Sequence, residues 1–125
     1  MGASEISYYV MPGLKHREVR FDQVIKTVCE VMKIDRYKLL TPNRSKNLVF
    51  GRNMCYFIFR RYFSMTLKEI AQAFDRDHTT VIHGLVTFQN DIECIKFYKT
   101  QFLDVQQTLG LHTNNKKLNI LTFLY

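Results

Sequence analysis

Apolar residues recur along most of this chain at three- and four-residue intervals, the period of helices that bury one face. Phe21, Val24, Ile25, Val28, Val31 and Met32 keep that period and predict a helix from about Arg17 to Met32. Ile34 to Leu40 predicts a short second helix capped by Asp35. Thr41-Pro42-Asn43 ends it, because proline lacks a donor and clashes with a continuing helix. The polar loop 42–47 carries Arg44 and Lys46. A third helix, about Leu48 to Phe63, is apolar enough to cross the middle of the core.

The stretch from Thr66 to Phe88 organises the rest. Thr66 and Glu69 have the spacing of a capping box, and Leu67, Ile70, Ala71 and Phe74 then share one face. Asp75-Arg76-Asp77 interrupts the pattern, and aspartate tolerates the left-handed conformation that a corner needs. The next helix has Asp77 or Thr79 as its N-cap and buries Val81, Leu85, Phe88 and Ile92, which turns His78, Thr79 and Thr80 outward. Ala71 is small enough for the two helices to approach. Gly84 reads either as a second close-packing point or as a tolerated glycine costing about 1 kcal/mol against alanine. This is helix-turn-helix spacing, and its second helix is the one that enters a DNA major groove.

Beyond Phe88 the helix continues or kinks near Asn90-Asp91. A last helix, about Phe97 to Leu109, ends at Gly110, a good residue for a helix C-terminus. The expected architecture is therefore all-α: a compact multi-helix domain over 17–110, with an N-terminal extension over 1–16 and an apolar tail over 111–125. Pro12-Gly13 marks a turn in the extension. Tyr8 to Met11 reads as a patch folding back on the core or as a partner contact, with the former favoured. The apolar end Ile120 to Tyr125 must pack on the domain or on a neighbour, a second copy of the chain included, unless it is disordered.

Composition narrows the class. No apolar run approaches membrane-spanning length and no basic-then-apolar leader opens the chain, so it reads as cytoplasmic, acting at the bacterial nucleoid or as a phage or mobile-element protein. Cys29, Cys55 and Cys94 are odd in number and lack C-x-x-C spacing, which favours buried free thiols over a zinc site or disulfides. His78 and His83 are five residues apart on one helix, about 140° around it, and do not converge on a metal. No metal site, cofactor or catalytic constellation is expected, and the lack of G-x-x-x-x-G-K-[ST] argues against nucleotide binding.

The net charge of +7 is uneven. Lys33 to Lys68 holds nine Lys/Arg against one acid, Asp35, while the remainder holds nine basic and ten acidic residues. Abutting a helix-turn-helix, such a run reads as a phosphate footprint. The exposed turn Asp77-His78-Thr79-Thr80 suits base edges: Asp accepts from cytosine N4, Thr offers a hydroxyl and a methyl, and His donates or accepts.

Arg76-Asp77-His78-Thr79-Thr80-Val81-Ile82-His83 resembles the signature of the C-terminal DNA-binding domain of the bacterial replication initiator DnaA. The resemblance extends over about Phe21 to Leu109. It implies an all-helical, Trp-repressor-like fold whose helix-turn-helix recognises a short asymmetric box in double-stranded DNA. Asp77, His78 and Thr79 match the family's major-groove base readers, and Arg44 the arginine that its basic loop places in the adjacent minor groove. Lys46, Arg52, Asn53, Arg60, Leu67, Lys68, Thr80 and His83 match or approximate positions that contact the DNA backbone. The sequence departs from the family at Phe74-Asp75-Arg76-Asp77-His78, where the usual Phe-Gly-Gly-Arg-Asp-His is one residue longer. That implies a tighter corner and a shifted helix angle. Pro42 and Asn43 stand where Lys or Arg is frequent, Phe50-Gly51 replaces Arg-Pro, and Lys68 replaces Pro.

The function expected is sequence-specific DNA binding that regulates transcription or replication at initiator-like boxes, by the DNA-reading piece without an ATPase domain. The alternative is a protein-interaction module that keeps the fold and binds a replication or regulatory protein through its apolar ends.

Overall fold

In the computed structural model, residues 15–111 are described, with side chains from residue 21 onward. Their regular elements are six helices: α1 (Lys15–Met32), α2 (Arg36–Leu40), α3 (Lys46–Tyr62), α4 (Leu67–Ala73), α5 (His78–Cys94) and α6 (Lys96–Leu109). The sequence readings of Tyr8 to Met11, Pro12-Gly13 and Ile120 to Tyr125 lie outside the described residues.

Helix α3 is the axis. It packs against α1, α2, α4 and α5, and every residue from Phe50 to Phe59 is buried. Large rings on opposite sides of α3 build two aromatic clusters. On one side Phe57, Phe88 and Phe102 form a closed triangle, with centroids 5.0–5.4 Å apart, and Phe50 stacks on Tyr98 at 4.0 Å. On the other, Phe59 stacks on Phe21 of α1 at 4.2 Å and meets Phe63 edge-on. A long helix buried all round contributes most of its stabilisation through area removed from water rather than through propensity.

The helix ends follow local chemistry. Asp35 accepts from the Tyr37 amide at 2.7 Å and caps α2. Thr66 and Glu69 close the reciprocal capping box of α4, with bonds of 3.1 and 2.8 Å. Helix α5 begins at His78 behind Asp77 and runs to Cys94 without a break at Asn90-Asp91, and Gly110 ends α6 in the left-handed conformation at φ 67°. Helices α1 and α3 each begin two residues earlier than the hydrophobic pattern alone indicates, because Lys15, His16, Lys46 and Asn47 extend them with polar residues.

The corner between α4 and α5 is a Schellman turn. The Arg76 amide donates to Ala71 O at 2.8 Å and the Asp75 amide to Gln72 O at 3.2 Å, which places Asp75 at φ 52°. Left-handed backbone costs an ordinary L-residue about 1–2 kcal/mol, and a glycine nothing. Asp75→Gly is expected to stabilise the domain by about 0.5 kcal/mol after the extra unfolded-state entropy of glycine is subtracted. Asp75→Val is expected to cost about 1–2 kcal/mol. Urea unfolding of both variants checks the sign.

Candidate nucleic-acid interface

Two structural features set the pose of α5. The first is Gly84, which lies where α5 crosses α3. A Cβ there would sit 2.5 Å from Asn53 Oδ1 and 2.8 Å from the Tyr56 ring, so glycine is the residue that permits this approach. Helix propensity alone predicts that Gly84→Ala stabilises by about 1 kcal/mol. The contact predicts the opposite sign: overpacking of about 1–3 kcal/mol outweighs the propensity gain and leaves a net loss near 1 kcal/mol. Thermal unfolding of the Gly84→Ala variant distinguishes the two.

The second is Arg76 in the corner, whose positive charge lies close to the Tyr56 phenol of α3. Burial raises the pKa of that phenol, against the lowering effect of Arg76 and Arg52. Sequence reading assigned neither Arg76 nor Tyr56 a role.

With α5 fixed from behind, its start faces water. Asp77, His78, Thr79 and Thr80 are all exposed, as is His83 one turn on, while Val81 and Leu85 are fully buried. The Asp77 side chain makes no capping bond to the helix, so its carboxylate is not engaged by the α5 N-terminus. The first turn carries no acidic residue, and its backbone amides lend a partial positive charge.

The loop before α3 is built with equal definition. Asn43 Oδ1 accepts from the Ser45 amide at 2.8 Å and the Asn43 amide donates to Thr41 O at 2.8 Å, so Arg44 projects from a tight Asx turn. Arg44 and Lys46 are exposed. Asp91 lies near Lys46; burial raises the Asp91 carboxyl pKa and Lys46 lowers it.

The structure revises the expected charge footprint. Arg52 is buried, 6% exposed, and its guanidinium donates to Leu39 O at 3.0 Å, Thr41 O at 2.8 Å and Asn43 O. Asn53 beside it is equally buried, beneath Gly84. Arg60 is half-buried and donates to Met65 O at 2.9 Å, and Arg36 pairs with Asp22. Arg36, Arg52 and Arg60 are therefore engaged by the fold, and Lys33, Lys38, Arg44, Lys46 and Lys68 are the exposed basic residues between Lys33 and Lys68. The signal was present in the sequence: a helix with no polar face has nowhere but the interior to put Arg52 and Asn53. Leu67, expected near the DNA backbone, has a buried side chain, so a contact there falls to the amides of the α4 N-terminus. Of the three thiols expected to be buried, Cys29 and Cys55 are, whereas Cys94 is exposed at the end of α5. Burial pushes the Cys29 thiol up to about 11.

A capped first helix, a left-handed corner and a second helix with a polar, outward first turn define a helix-turn-helix domain. Residues 21–87 match the family described as bacterial dnaA protein helix-turn-helix, and the chain belongs to that family. It is 32% identical over 96 residues to the chromosomal replication initiator protein DnaA of Flavobacterium psychrophilum, covering 76% of this chain and 20% of that protein. The DnaA of Oleidesulfovibrio alaskensis is 30% identical over 71 residues, 57% of this chain and 15% of that protein. The DnaA of Synechococcus sp. is 31% identical over 85 residues, 67% of this chain and 18% of that protein. The chain thus spans about a fifth or less of the length of these relatives. No solved structure matches it. Among the described residues no helix is long and apolar enough to cross a membrane.

Proposed function

We propose that this chain reads a short box in double-stranded DNA, with α5 in the major groove and the Arg44 loop in the neighbouring minor groove. The observation that carries the reading is the exposure of Asp77, His78, Thr79 and Thr80 on a helix start held rigidly from behind. Side chains that serve only packing do not occupy the solvent side of a helix whose other face is sealed by Val81, Leu85 and Phe88. Asp77, His78 and Thr79 take the base edges. Lys46, Lys68, Thr80 and His83 face the phosphates, with the amides at the start of α4 beside Leu67. Arg60, anchored at Met65 O, supports that approach.

The biological outcome proposed is occupation of initiator-like boxes, which regulates replication or transcription at the sites it covers. Selection of binding sites from random duplexes tests the reading. Enrichment of one short asymmetric motif is the expected result, and recovery of no motif overturns it.

A second reading, a protein-interaction module, has one observation behind it: Phe97 and Leu103 on α6 are 62% and 45% exposed. It predicts that selection recovers no motif while Phe97→Ser abolishes the capture of a protein partner.

A further inference from the structure

We infer that Arg52 is a positioning residue, which fixes the Arg44 loop to the central helix α3 and thereby sets specificity at the base pair Arg44 reads. The inference rests on the DNA-reading proposal above. It departs from the phosphate contact that resemblance assigns to this residue.

Three carbonyls lie at the end of α2 and in the loop after it, of which that of Thr41 already accepts from the Asn43 amide. Helix α2 is only five residues long, and its last carbonyls, together with those of the following loop, have little helix to satisfy them. Arg52 reaches back from α3 and fills that need. Its Nη1 donates to Leu39 O and Thr41 O, and its Nη2 to Asn43 O. A planar fork can serve carbonyls spread over five residues, which an ammonium on a flexible stem cannot do equally well. Asn43 O belongs to the residue immediately before Arg44. Its own side chain holds the Ser45 amide immediately after Arg44, so both flanks of Arg44 are tied down.

Arg52 also looks the other way. Burial lowers its pKa and the nearby charge of Arg76 lowers it further, while Arg76 and Arg52 both oppose the burial-driven rise of the Tyr56 phenol. Loop and central helix therefore meet around one buried guanidinium. With its donors turned to carbonyls and little of its surface exposed, Arg52 is poorly placed to neutralise a phosphate. Its effect on binding passes through the geometry of Arg44.

Two variants of the full chain test this, Arg52→Lys and Asn43→Gly, the second leaving α3 untouched. Binding is measured on the selected duplex and on single-base variants of it at several salt concentrations. The expected result is a loss of about 10- to 100-fold in discrimination, confined to the base pair whose preference Arg44→Ala also relaxes. The salt slope stays within about half a unit of the parent. Neither change adds to the Arg44→Ala loss in the double variant. A third variant, Arg52→Gln, removes the charge: a uniform loss on all duplexes with the slope reduced by about one unit would mark a phosphate contact and overturn the inference. Amide hydrogen exchange on the protein alone separates this inference from the DNA reading. Arg52→Lys is expected to speed exchange at Asn43 and Ser45 while the amides of α5 keep their protection. Unchanged exchange in the loop refutes the positioning role whatever the DNA result.

Discussion

Phe57→Ala is expected to remove about 3–5 kcal/mol of stability, the range for deleting a fully buried ring. Phe57 is 1% exposed and closes the triangle with Phe88 of α5 and Phe102 of α6. Its contact with Phe102 is edge-on, as is that of Phe88 with Phe102, so removing one ring leaves a cavity that the other two cannot fill by sliding. Domains of this size are commonly stable by about 5–15 kcal/mol, so the variant stands near its unfolding threshold. At 4–8 °C per kcal/mol, a fall of about 12 °C or more in the unfolding midpoint follows. Phe57→Leu conserves much of the volume and is expected to cost roughly 1 kcal/mol. Calorimetry on the two variants checks the ratio. At a temperature where Phe57→Ala is folded, its affinity for the selected duplex should match the parent, since Phe57 touches no exposed surface.

Removing Arg44 and His78 together should produce the largest loss of binding with no comparable loss of stability. Both side chains are exposed, and surface substitutions of this kind change stability by about 0.5 kcal/mol or less. Each base contact is expected to contribute about 1–3 kcal/mol of discrimination. Arg44→Ala and His78→Ala should therefore each weaken the selected duplex by about 5- to 150-fold, and at different base pairs. The loop and the start of α5 read different grooves, so the two losses should add to within about 0.5 kcal/mol. Fluorescence anisotropy on the parent, both single variants and the double variant measures this. Losses that fell on every duplex alike would place both residues on the backbone instead.

The helix order was legible because its punctuation is local. Asp35, the Thr66/Glu69 pair and Gly110 act within a few residues of their own position, and each does what its type and spacing predict. The left-handed corner at Asp75 was legible for the same reason. What the pattern hid is tertiary. Which partners the buried Arg52 meets depends on where the carbonyls of Leu39, Thr41 and Asn43 lie, and no local rule places a loop against a helix about ten residues downstream. The role of Gly84 was likewise undecidable until Asn53 and Tyr56 were seen beneath it. The exposed first turn of α5 was the part of the site that periodicity could reach, because burial of Val81 and Leu85 dictates the opposite face. The pairing of Arg36 with Asp22, fourteen residues apart, reduced a charge run that looked uniformly solvated.

The most direct measurement is the affinity of the full chain for its selected duplex and for a scrambled duplex of equal length, at about 50 and 200 mM salt. Sequence reading by α5 and Arg44 predicts a preference of about 10³ or more that persists at the higher salt, while both affinities fall steeply with salt. Equal affinity for the two duplexes at both salt concentrations would contradict it.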